Sequence, residues 1–95
     1  MAKVTLYGTF RRYVDAWTCE IDAPTVGAAL NALTADNPRL RSAVFADSDA
    51  DRHCAELRPY VRIVVNGRDV ALGDCLGTAL KAGDEVAVFS PIAGG

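Results

Sequence analysis

Apolar and polar residues alternate near both ends of the chain and fall at helical spacing between them. In Lys3-Val4-Thr5-Leu6-Tyr7, Val4 and Leu6 share one parity and Thr5 and Tyr7 the other. That pattern predicts a half-buried strand. Gly8 opens a turn region. Trp17-Thr18-Cys19-Glu20-Ile21 alternates again, so the two runs predict a hairpin with an irregular connection through Phe10-Arg11-Arg12-Tyr13. Asp22-Ala23-Pro24-Thr25 closes the second strand. Thr25 suits an N-cap, because its hydroxyl can accept from early helical N–H groups. Val26, Ala29, Leu30 and Leu33 then recur at helical spacing and form one apolar stripe. Pro38 disfavours helical geometry at Asn37 and is expected to stop this helix. Leu40, Ala43 and Val44 predict only a short helical turn after it.

Residues 46–57 are polar and rich in Asp and read as a surface loop. Asp47, Asp49 and Asp51 alternate as calcium ligands do, but the run lacks the glycine and distal glutamate of an EF-hand loop. Residues 60–65 predict a third strand. Asn66-Gly67 follows at once as a tight-turn signal, and residues 68–72 predict a short return strand. Residues 73–80 are turn-rich, with one helical turn expected over 76–79. Lys81-Ala82-Gly83-Asp84 turns into a final strand ending at Phe89. Two hairpins around one main helix predict an α+β fold, a mixed sheet with the helix packed on one face.

Parity then assigns the faces. Val61, Ile63 and Val65 point to the core, Arg62 and Val64 away from it. Val86 and Val88 pair as core, so Ala87 and Phe89 face outward, as does Tyr7. The open face therefore carries Tyr7, Val64 and Phe89, and Phe89 is expected to be exposed. Contiguous exposed apolar groups of this kind mark a partner-docking surface.

The chain is 95 residues long, enough for one small core. Its hydrophobic content of 51% marks a globular chain. The formal net charge of -2 comes with no basic stripe, which leaves nucleic-acid binding without electrostatic support. No apolar run is long enough to span a bilayer, so no membrane partner is expected. No signal-peptide segment opens the chain, so a cytoplasmic location is expected. Cys19, Cys54 and Cys75 form no CxxC pair. Cys19 and Cys75 read as small buried hydrophobes. His53-Cys54 lacks further ligands nearby, and no metal site is expected. There is one histidine, no Gly-x-Ser-x-Gly elbow and no Walker-type loop. Nothing here builds an autonomous catalyst.

The chemistry lies in the last residues, Phe89-Ser90-Pro91-Ile92-Ala93-Gly94-Gly95. Pro91 fixes its own φ and holds Ser90 extended, so the root of this segment is stiff. The two glycines have no Cβ and pass through narrow spaces. The group at the tip is a main-chain carboxylate on Gly95, with no side chain crowding it. Residues 1–89 read as the folded domain and 90–95 as a flexible Gly-Gly tail.

The whole chain resembles the ubiquitin-like sulfur carriers of the β-grasp fold: the small subunit of molybdopterin synthase, the thiamine sulfur carrier and their relatives. The resembling residues are Lys3-Val4-Thr5-Leu6-Tyr7, Pro24-Thr25-Val26, Val64-Val65-Asn66-Gly67 and, most specifically, the run from Gly83 to the final Gly94-Gly95. The resemblance implies that an E1-like activating enzyme adenylates Gly95 using ATP and Mg²⁺, and that sulfur then replaces the adenylate as a thiocarboxylate. This chain itself would bind no cofactor and perform no catalysis. Gly94, Ala93 and Ile92 would thread the partner's channel, and Tyr7, Val64 and Phe89 would dock. The large subunit of molybdopterin synthase is the implied sulfur acceptor. Cysteine synthesis, thiamine synthesis, tRNA thiolation and conjugation to protein lysines are the alternatives. Ser90-Pro91 replaces the Pro-Pro of many molybdopterin-synthase small subunits. The run Arg58-Pro59-Tyr60-Val61-Arg62 resembles longer relatives that serve cysteine synthesis or modify proteins.

Overall fold

The computed structural model describes residues 1–13, 17–45, 57–58 and 60–90. The first strand, β1, runs Ala2–Leu6 and buries every second residue. It pairs antiparallel with β2 (Thr18–Ile21), with Val4 opposite Cys19 and Thr5 opposite Thr18. The connection carries a 3-10 helix over Gly8–Tyr13, which plugs Phe10 into the core at 1% exposure.

Helix α1 (Val26–Thr34) begins where Thr25 predicts. The Thr25 backbone is extended and its Oγ1 accepts the Ala28 N–H at 3.1 Å. Val26, Ala29 and Leu30 are buried. Pro38 does not only end a helix. It occupies the first turn of a second one, α2 (Pro38–Val44), where its missing N–H has no intrahelical role. Asn37 caps that helix by accepting the Leu40 N–H at 3.1 Å. The two helices are joined through Thr34, which is fully buried. Its hydroxyl donates to the Leu30 carbonyl at 2.8 Å and accepts from the Arg41 guanidinium at 3.2 Å. The helical layer is thus one helix and a further two turns.

Strand β3 is Arg62–Val65 and β4 is Arg68–Asp69. Both are shorter than alternation predicts, for local reasons. The Tyr60 hydroxyl donates to the Ala43 carbonyl at 3.0 Å and the Val61 N–H to the Arg58 carbonyl at 3.0 Å. These bonds hold the approach to β3 against α2. The Asp69 carboxylate accepts the Ala71 N–H at 2.8 Å and starts a 3-10 turn over Val70–Leu72 where the return strand would have continued. Asn66 and Gly67 make the tight turn with φ of 52° and 85°. A second 3-10 turn, Cys75–Gly77, lies against α1. The close approach falls at Gly27: a Cβ there would stand 3.1 Å from the Leu76 carbonyl oxygen.

The last strand, β5 (Glu85–Phe89), enters the middle of the sheet. The order is β2-β1-β5-β3-β4. β5 runs parallel to β1 and antiparallel to β3. Val4, Leu6, Ile63, Val86 and Val88 form the sheet's contribution to the core, with Val26, Leu30, Leu40 and Val44 across from them. Among the described residues, no helix is long and apolar enough to cross a membrane.

Candidate docking face and tail root

Because β5 is central, its last residues are held from both sides. The Tyr7 N–H donates to the Val88 carbonyl at 2.9 Å. On the other side Arg62 is in register with Phe89, and Val64 with Ala87. Val86 and Val88 pin the strand from below at 2% and 0% exposure. The chain therefore reaches Ser90 from the central strand, which is paired on both sides.

The same register composes the open face. Its middle row reads Thr18, Thr5, Ala87, Val64, Asp69. The row at the tail end holds Tyr7, Phe89 and Arg62. Tyr7 is 46% exposed. Val64 and Phe89 are half-buried. For Phe89 this corrects the expectation of exposure. A side chain on a central strand is flanked by neighbours on both sides, and alternation reports the face but not the lateral cover. The middle of the face is a shallow concavity of about 420 Å³, floored by Ala87 and Val64 and bounded by Thr5, Tyr7, Asn66 and Glu85. Ala87 matters because a small residue at the centre opens this hollow. Ala87 and Arg62 were readable by parity, but only the pairing register sets them beside Val64 and Phe89.

One end of the face is fastened by Asn66. Its side chain donates to the Asp84 carboxylate at 3.0 Å and accepts the Glu85 N–H at 2.9 Å. Asp84 also accepts the Lys81 N–H at 2.8 Å. The Lys81 bond, then the Asn66 bond, hold the Asp84 carboxyl below its ordinary pKa.

Ile92, Ala93, Gly94 and Gly95 lie outside the described residues, as do His53, Cys54 and the Asp-rich run. Cys19 is a free, half-buried thiol whose pKa burial pushes up. Cys75 is buried, but it is disulfide-bonded and not a free apolar filler. Sequence spacing could not show this, since a disulfide depends on how two Cβ atoms meet in space. Among the described residues, no group of three His, Cys, Asp or Glu side chains is placed to hold a metal.

A mixed five-stranded sheet with its last strand central and helices across one face is the ubiquitin-like β-grasp fold. The ThiS family model matches residues 4–95. The chain belongs to this family of ubiquitin-like sulfur carriers and modifiers. It is 36% identical to small archaeal modifier protein 3 of Haloferax volcanii, over 98% of this chain and 97% of that protein. The solution structure of small archaeal modifier protein 1 from Methanosarcina acetivorans superposes with a TM-score of 0.83 at 26% identity, covering 99% of this chain and 95% of that one. A Pyrococcus furiosus structure, provisionally named molybdopterin converting factor subunit 1, gives a TM-score of 0.68 at 28% identity, covering 96% and 97%.

Proposed function

We propose that this protein carries sulfur on the carboxylate of Gly95. The observation that carries the reading is β5: a central strand, held by β1 and β3, that leads through Ser90 into a sequence ending Gly94-Gly95. A rigid root with an unhindered tip suits delivery of a main-chain carboxylate into another protein's active site.

A carboxylate is a poor electrophile, so it must first be activated. A Gly95 oxygen attacks the α-phosphorus of ATP, pyrophosphate leaves, and an acyl-adenylate forms. Hydrosulfide then attacks the acyl carbon, AMP leaves with the bonding pair, the S–H proton passes to solvent, and a thiocarboxylate remains. The E1-like activating enzyme supplies ATP, Mg²⁺ and the groups that stabilise developing charge. This chain supplies no catalytic group and works in the cytoplasm with that enzyme. Tyr7, Val64 and Phe89 form the docking surface, and Ile92, Ala93 and Gly94 thread the channel. The acceptor we favour is the large subunit of molybdopterin synthase, supported by the provisional name of the P. furiosus structure. Conjugation of Gly95 to protein lysines is the second reading, favoured by the modifier name of the H. volcanii relative.

Intact-mass analysis of protein purified from its own host is the test. Replacement of one terminal oxygen by sulfur is expected, and deletion of Gly95 should abolish it while leaving the melting temperature unchanged. Isopeptide-linked lysines would establish the modifier instead. A terminus never altered in the presence of the activating enzyme would remove both readings.

A further inference from the structure

β2 is an edge strand of the sheet. The Leu6 N–H donates to the Trp17 carbonyl at 2.7 Å, which makes Leu6 and Trp17 a hydrogen-bonded pair of the β1–β2 ladder. Alternation along an antiparallel ladder then turns the backbone N–H and C=O of Thr18 and Glu20 away from β1. Among the described residues, no backbone partner takes these groups. Trp17, at the start of the strand, is 47% exposed. Cys19 and Ile21 are only half-buried. An edge that no described strand pairs, with Trp17 exposed and Cys19 and Ile21 half-buried along it, is a pairing template.

We propose that the occupant is a second copy of this chain, joined β2 to β2 about a twofold axis at Cys19. The sequence of the strand is self-complementary in that register. Thr18 pairs with Glu20 of the second copy, twice, and these are the residues whose backbone groups point outward. Trp17 packs on Ile21 of the second copy, twice, an aromatic against a β-branched residue. No like charges meet. Centring the axis on Glu20 instead would set the two Glu20 carboxylates against each other. The dimer is a continuous ten-stranded sheet, five strands from each copy. The pairing is short, so the association is weak and concentration-dependent. Five strand spacings separate the two β5 strands, roughly 24 Å, so the pairing does not involve β5 of either copy.

The register predicts its own reporter. The two Cys19 residues form a non-hydrogen-bonded pair with Cα atoms about 4.5 Å apart, within disulfide range. With oxidised glutathione as oxidant, the two thiols release two protons and two electrons to form one S–S bond. One glutathione disulfide is reduced to two glutathione thiols. Mildly alkaline buffer offsets the raised pKa of the half-buried thiol.

The experiment uses the full chain. Sedimentation equilibrium from micromolar to millimolar concentration reads self-association, and peptide mapping after oxidation reads the Cys19–Cys19 link. Thr18→Glu sets Glu against Glu20 twice and is expected to weaken association roughly tenfold and to remove the link. Adding Glu20→Lys turns both contacts into opposite-charge pairs and is expected to restore both readouts. Thr18 lies on the open face, and melting curves establish that each variant is folded. A monomer at every concentration with no Cys19 link overturns the proposal. Association that Thr18→Glu leaves unchanged overturns it equally, since another surface would then be responsible.

Discussion

The Tyr7 N–H donates to the Val88 carbonyl at 2.9 Å, and this bond sets Tyr7 beside Phe89 on the uncovered face. The two rings differ in burial: Tyr7 is 46% exposed, while Phe89 is half-buried. Tyr7→Ala should therefore weaken binding to the activating enzyme by about 1–3 kcal/mol with little change in melting temperature. Phe89→Ala should lower both. A titration and a melting curve on each variant separate the two effects. Unchanged affinity for Tyr7→Ala would move the docking surface elsewhere.

Gly27→Ala should destabilise the fold by roughly 1 kcal/mol, although alanine is the better helix former. The added Cβ would meet the Leu76 oxygen at 3.1 Å and its Cβ at 3.2 Å. The segment cannot slide away freely. The Val26 N–H bonds the Thr78 carbonyl at 2.9 Å, and the Leu80 N–H bonds the Pro24 carbonyl at 2.9 Å. Chemical denaturation checks this, and a stabilised variant would show that the 3-10 turn yields.

Thr25→Ala removes the acceptor for the Ala28 N–H at the start of α1. A loss of about 1 kcal/mol is expected, and Thr25→Asp should retain most of the stability. Equal losses in the two variants would show that the hydroxyl is not acting as a cap.

Asp84 links pH to stability. Its folded pKa is lowered by the Lys81 and Asn66 bonds. Its contribution is therefore present above the unfolded value of about 3.9 and is lost as pH falls through the lower folded value. Asp84→Asn should flatten the acid side of the melting-temperature profile. Profiles that run parallel below pH of about 4 would assign the acid loss to other carboxylates.

Local chemistry made much of this fold legible. Thr25 announced α1 because its side chain can satisfy a helical N–H without tertiary help. Asn66-Gly67 announced a turn because both residues tolerate positive φ. Parity placed Val86 and Val88 inward and Tyr7, Val64 and Phe89 on one face, since a strand's side chains can only alternate. The run from Gly83 to Gly95 carried the most specific part of the family resemblance, and Lys3-Val4-Thr5-Leu6-Tyr7, Pro24-Thr25-Val26 and Val64-Val65-Asn66-Gly67 the rest.

Contacts between distant segments decided the rest. α2 exceeds the single expected turn because Arg41 reaches Thr34 and Asn31 on α1, and because Pro38 fits a helix start as well as a helix stop. β4 ends at Asp69 through a side-chain bond that competes with the ladder. Phe89 is half-buried because β5 was drawn between β1 and β3, and no local pattern reveals a strand's place in the order. Cys75 is bonded because its partner arrives through space. Alternation and capping depend on neighbours a few residues away, so sequence states them. Strand order, lateral cover and disulfide pairing depend on which distant segments meet, and burial of the whole core selects them at once.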